Sequence, residues 1–413
     1  MKNILLFFSF FLFSLVSSSQ DNTKVFNDKV VIGKVDSIQS SVLNETRKVW
    51  IYMPNGLDEK STNRYPVVYL LDGPAHFYSV VGLIQQFSQV NGNTVCPEMI
   101  VVAIANTDRT RDLTPTYVKG DPPYVDSNFT KTSGGGEKFI SFLKKELIPH
   151  IDANYPTQPF KMLIGHSFGG LMAMHILANH TDMFNAYISI DPSMWWDNMN
   201  YLKQAKEVLQ KKQFTHTTLY LGYANTMEEG MDINTVQQDK SPMTRHIRAI
   251  LSVDTLLRSR KDNGLSYASK FYQEDGHTTV PVITEHDALR YIFRNFRFKL
   301  ESKDYVDSTA DLAGKFEQHY IEASKFFGYS VFPAEKLIEG WGAEFAQIKH
   351  YVKAEKFYLL NIRHYPQSPG AHATLADFYV QRGEKQKAIE SFKKSLQLKQ
   401  DPDTQRKLDE LIK

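Results

Sequence analysis

A chain of 413 residues, 42% hydrophobic and 13% aromatic, can bury a sizeable core, enough for one large domain and a smaller one. Its 48 Lys+Arg offset 46 Asp+Glu to a formal net charge of +2, and no basic block is interleaved with aromatics, which argues against a nucleic-acid partner. Cys96 is the only cysteine, so an intramolecular disulfide is excluded and the fold must rest on its core.

The first element is MKNILLFFSFFLFSLVSSSQ. Lys2 precedes an apolar run from Ile4 to Val16, and the small residues Ser17–Ser19 follow. This is the pattern of a secretory signal peptide over residues 1–19, cut near Gln20. The run of 13 residues is short of the ~20 that a spanning helix needs. An exported protein, periplasmic or secreted, is expected, without stable membrane insertion. Asn44, Asn128 and Asn179 open Asn-x-Thr acceptor patterns for glycosylation.

Residues of about 25–53 alternate apolar and polar (KVVIGKVDSI, then RKVWIYMP), predicting antiparallel strands at a sheet edge. YPVVYLLDG and EMIVVAIAN are continuous apolar runs, as buried central strands are. Residues 134–155 place Phe139, Ile140, Leu143, Leu147, Ile148 and Ile151 at helical spacing, and Pro156 ends the helix. KMLIG then predicts a strand, HSFGG a turn and LMAMHILANH a helix. Further strands follow at FNAYISIDPS, HTTLYLGYA and YASKFYQEDGH, with a closing helix at ALRYIFRNF. Strands alternating with helices predict an α/β domain over residues 20–300, with a mostly parallel sheet whose chemistry sits beyond the strands' carboxyl ends.

Residues 301–413 change character, with Lys, Glu and Gln at helical periodicity predicting a small all-α domain. Trp341, Gly342, Phe345, Ala354, Tyr358 and Pro366 are matched 34 residues later by Leu375, Ala376, Tyr379, Ala388, Phe392 and Gln400. That period is tetratricopeptide-like, with repeats at about 335–368 and 369–402; the first has Lys349 where the second has Gly383. Two repeats are fewer than stand alone, so residues 315–329 are expected to pack against them, and the repeats offer a surface for a protein partner.

Ser167 lies in Gly165-His-Ser-Phe-Gly169 between a predicted strand and a predicted helix. Such a strained turn lifts a serine hydroxyl above the sheet, and the helix N-terminus favours a developing oxyanion. A nucleophilic serine needs a base. His277, in EDGHTTVP after the last strand, is best placed; His216, His246 and His286 are poorer candidates, and His76 and His166 are expected to line the pocket. The acid should follow the strand TTLYLGYA. Glu228 comes earliest, Glu229, Asp232 and Asp239 also qualify, and a Ser–His dyad without an acid stays open. The oxyanion donors would be the N–H of Phe168 and that of Gly73 or Ala75, since Pro74 has none. No Cys/His ligand spacing is present, so neither a metal nor another cofactor is expected.

YPVVYLLDGPAHF, NTDRTRDLTPT, SGGGEKFISFLKKELIPHI, LIGHSFGGL, ISIDPSMWWD and the late Asp-Gly-His together resemble the putative esterase family. That family includes esterase D-like enzymes, enterobactin (siderophore) esterases and bacterial feruloyl esterases. The resemblance spans roughly residues 25–300 and implies an α/β-hydrolase fold, with Ser167 as nucleophile and His277 as base. The loops carrying Arg109, Arg111, Trp195 and Trp196 look like the family's pocket walls; the arginines would hold an anionic substrate group or form structural ion pairs, and the tryptophans would stack an aromatic acyl group or close the core. The expected activity is hydrolysis of a small-molecule carboxylic ester through an acyl-enzyme. An acyltransferase using the same site, or a non-catalytic binding or assembly protein built on this scaffold, are the alternatives.

Overall fold

A computed structural model describes residues 24–26, 29–54, 64–307 and 309–413. The expected signal segment lies outside the described residues. Among the described residues, no helix is long and apolar enough to cross a membrane.

Two short strands, β1 (Lys24–Phe26) and β2 (Lys29–Val31), pair with each other. The main sheet is built from β3 (Lys34–Ser40), β4 (Glu45–Tyr52), β5 (Tyr65–Leu70), β6 (Ile100–Ile104), β7 (Thr157–His166), β8 (Ala186–Ile190), β9 (Thr217–Ala224) and β10 (Leu265–Tyr272). Its order is β10-β9-β8-β7-β5-β6-β4-β3. The alternating segments β3 and β4 form the antiparallel edge, while β5 to β10 are parallel. Every residue of β5, β6, β8 and β9 is buried, so these strands read as continuous apolar runs because helices cover both faces.

The topology decides where chemistry can occur. From β5 the chain crosses to β6 on one side, and from β7 it winds through β8, β9 and β10 on the other. The carboxyl ends of β5 and β7 therefore flank the switch point, where open α/β sheets leave a crevice. Leu71 N donates to Ile164 O (2.9 Å), so Asp72 and Gly73 leave the sheet beside the turn that carries Ser167.

Among the described residues beyond 300, all regular elements are helices. Glu335–Gln347 pairs with Tyr351–His364, and Pro369–Gln381 with Lys385–Leu398. The two hairpins repeat hydrogen bond by hydrogen bond at 34 residues. His350 N bonds Phe345 O and Glu384 N bonds Tyr379 O, both at 2.9 Å. Lys349 occupies the left-handed region (φ 63) just as Gly383 does (φ 71), so this turn forms without the glycine, at a cost of about 1 kcal/mol. Ala354 and Ala388 are fully buried where the helices cross. The helix Leu312–Phe327 joins this tail to the sheet domain: Phe316 packs on Phe357 of the first hairpin (5.7 Å between ring centres), and Phe327 on Phe160 and Phe293 (5.6 Å each).

Candidate active site

Ser167 stands between the last residue of β7 and the first residue of the helix Phe168–Asn179, with φ 59 and ψ −114. A non-glycine residue holds such a conformation only when its surroundings over-determine it. Here Ser167 N donates to Ile190 O (2.9 Å), tying the turn to the end of β8. A Cβ on Gly165 would lie 2.2 Å from Gly169 O, so the turn closes only with glycine at 165. The Ser167 hydroxyl is 3.4 Å from that of Ser193.

His277 sits in the loop after β10, with its side chain 38% exposed. Its Nδ1 lies 2.6 Å from Oδ2 of Asp191, the residue immediately after β8. The same carboxylate oxygen is 2.9 Å from Nε2 of His246, on the helix Arg245–Ser259, and Oδ1 accepts from Ala224 N at 3.0 Å. Asp191 is fully buried. Burial alone would raise its pKa; the charge and hydrogen bond of His246, then those of His277, outweigh burial and hold the carboxyl well below the usual carboxylate range.

This geometry corrects the expected acid. Glu228 and Glu229 are exposed, Asp232 caps the helix Ile233–Val236, and Asp239 accepts from Thr244 Oγ1. The reason is strand order: β8 is the direct neighbour of β7, whereas β9 lies one strand further away, about 4.8 Å across the sheet. The end of β8 therefore meets the Ser167 turn, and His277 meets the end of β8. His246, a poorer candidate for the base by its sequence, reaches the same carboxylate from the helix Arg245–Ser259.

Two helix N-termini converge on the switch point. Phe168 is the first residue of its helix and Gly73 the first of Gly73–Ser88, so neither N–H has an acceptor within its own helix. Ala75 N donates to Asp72 O (3.0 Å), which leaves Gly73 as the free choice between the two expected donors on that loop. A Cβ on Gly73 would lie 2.4 Å from Ala103 C, so only glycine lets the loop lie on β6.

Beside these groups is a cleft of about 450 Å³ whose walls include Asp72, Ala75, His76, Asn106, Arg109 and His166. His166 Nε2 lies 2.8 Å from His277 O. Burial, reinforced by the nearby charges of His277 and His76, pushes its pKa down to about 4, so it is neutral near pH 7. His76 Nδ1 is 3.4 Å from the buried Glu285.

The expected cationic walls are internally paired. Arg109 grips Asp72 with two hydrogen bonds (2.7 and 2.8 Å) while lying over the Phe168 ring. Arg111 is not a cleft group: its guanidinium is held by Glu45 and Asp112, which also bind the buried Arg47. Of the two readings of the tryptophans, the packing matches closure of the core. Trp195 is 5% exposed and stacks on Tyr124, and Trp196 is fully buried with its indole N–H on Thr116, so both close the core against Phe168.

Comparison with known proteins agrees with this architecture. Residues 40–242 match the family model described as "Putative esterase". An IroE-like serine hydrolase from Shewanella oneidensis superposes with a TM-score of 0.68 at 30% identity, covering 81% of this chain and 99% of that one. The ferri-bacillibactin esterase BesA of Bacillus subtilis is 26% identical over 259 residues, 60% of this chain and 86% of BesA. The siderophore triacetylfusarinine C esterase of Aspergillus fumigatus is 27% identical over 181 residues, 41% of this chain; the chain spans only 58% of that relative's length. With the α/β-hydrolase fold in place and these relatives around it, the chain belongs to the putative esterase family, a family of carboxylic ester hydrolases.

Proposed function

We propose that the chain is an exported serine esterase in which Ser167, His277 and Asp191 form the catalytic triad. The observation that carries this reading is the 2.6 Å contact of His277 Nδ1 with a fully buried Asp191, just past the strand next to a serine held at φ 59. With Nδ1–H donated to Asp191, His277 keeps its Nε2 lone pair for the Ser167 proton. Ser167 Oγ then attacks the ester carbonyl, and the N–H groups of Phe168 and Gly73 receive the oxyanion. Protonated His277 returns the proton to the departing alcohol, leaving an acyl-serine. A water deprotonated by His277 hydrolyses it and restores the enzyme.

The relatives' names support a siderophore ester as substrate class, taken up at the cleft beside Arg109 and His166. The helical hairpins of the tail then serve as a docking surface for a protein partner. A fluorophosphonate probe together with a panel of p-nitrophenyl, feruloyl and catecholate esters tests the reading. Labelling that vanishes in Ser167→Ala, with turnover of catecholate esters, is expected. Equal labelling of Ser167→Ala, or no hydrolysis of any ester, would sink it.

A further inference from the structure

Among the described residues, ester chemistry leaves one cluster of ligating side chains unused. Glu137 stands in the first turn of Gly136–Phe142, His175 two turns along the helix that begins after Ser167, and His180 at that helix's carboxyl end. Nε2 of His175 lies 2.7 Å from Glu137 Oε1, and Nε2 of His180 lies 3.2 Å from Oε2. One ligand atom from each falls within 4.8 Å of the others. We propose that Glu137, His175 and His180 bind a divalent transition metal of the Zn2+ type, with water in the fourth position.

Four observations carry this. The first is size: donors 2.0–2.1 Å from a tetrahedral ion stand about 3.3 Å apart, and the distances from Glu137 Oε1 to Nε2 of His175 (2.7 Å) and of His180 (3.4 Å) bracket that value. The second is donor chemistry. Two imidazoles and one carboxylate form a nitrogen-rich, borderline set that selects Zn2+, Ni2+ or Cu2+ over Mg2+ or Ca2+.

The third is support behind the ligands. His175 Nδ1 is 3.3 Å from the hydroxyl of the buried Tyr201. When Nε2 gives its lone pair to the metal, the ring proton sits on Nδ1 and the Tyr201 oxygen accepts it, which fixes the ring plane. The fourth is the field: His180 caps the carboxyl end of its helix, where the backbone dipole favours a cation. Glu137 is 60% exposed, so the open side faces water.

The site is structural. His175 is about 12 Å along the helix from Ser167 at 1.5 Å per residue, so the metal would clamp the far end of the nucleophile's helix to Gly136–Phe142. The proposal therefore stands or falls separately from the esterase reading.

The test is titration of the chelator-stripped full-length chain with ZnCl2 by calorimetry, with thermal unfolding before and after. One equivalent should bind and raise the melting temperature. Glu137→Gln and His180→Ala should each weaken binding by about 100-fold or more, while melting like the wild type in chelator and keeping its esterase rate. Absence of binding would overturn the proposal, as would unchanged affinity in both variants. Binding that inhibits hydrolysis and disappears only in His246→Phe would also overturn it, by placing the ion on Asp191, His246 and His277.

Discussion

Replacing Asp191 by Asn leaves shape unchanged and inverts one half of a hydrogen-bond pattern. Oδ1 accepts from Ala224 N at 3.0 Å, and an asparagine oxygen keeps that bond. Its NH2 then takes the place of Oδ2, facing His277 Nδ1 at 2.6 Å and His246 Nε2 at 2.9 Å. Two amide hydrogens point at two ring nitrogens, so both imidazoles must accept there. His277 is thereby locked with its proton on Nε2, the atom that receives the Ser167 proton in the proposed mechanism. The expected result is a fall in kcat of about 10⁴-fold with little change in KM, or about 5.5 kcal/mol on the barrier. Labelling by a fluorophosphonate should slow in parallel. Glu228→Gln, at an exposed position, should stay within about twofold of wild type. Steady-state hydrolysis of a p-nitrophenyl ester measures both, with a melting curve to establish that each variant is folded. A folded Asp191→Asn protein retaining more than about a tenth of wild-type kcat would refute the reasoning, and so would a collapse of activity in Glu228→Gln.

Three further outcomes follow from the same structure. His246→Phe removes one donor from a buried carboxylate and should cost about 2 kcal/mol in urea unfolding and about tenfold in kcat/KM; His246→Gln, which keeps an N–H, should recover part of both, and equal loss in the two variants would count against a donor role. His166 has a folded pKa of about 4 against an ordinary 6.5, so its stabilising effect is complete above pH 6.5 and is lost as pH falls toward 4. The amount is about 3 kcal/mol, and His166→Asn should flatten the stability profile in that window; an unchanged slope would mean that other groups dominate it. Phe327→Ala empties a buried site between Phe160 and Phe293 and should destabilise the chain by about 4 kcal/mol. A calorimetric trace in which the sheet domain melts as before would show that the tail contributes nothing to it.

The legible parts of the site were those that depend on neighbours in sequence. Ser167 is marked by glycines two residues to either side, because the strain of its turn is local. His277 is marked by its place just after the last strand. Asp191 carried a comparable mark, an aspartate at the end of a buried apolar run, but so did Asp72, which instead grips Arg109. Nothing local separates the two. Arg111, Trp195 and Trp196 show the converse: residue types suited to a binding wall, yet satisfied by partners far along the chain, Glu45 for Arg111, Tyr124 for Trp195 and Thr116 for Trp196.

The sequence by itself determined the alternation of buried strands and helices, the turn around Ser167 and the 34-residue period of the tail, because periodicity and glycine placement act over a few residues. The tertiary structure alone decided which carboxylate meets His277. Strand order in the sheet puts β8, not β9, beside β7, and a contact set by that order joins residues 86 positions apart in the chain.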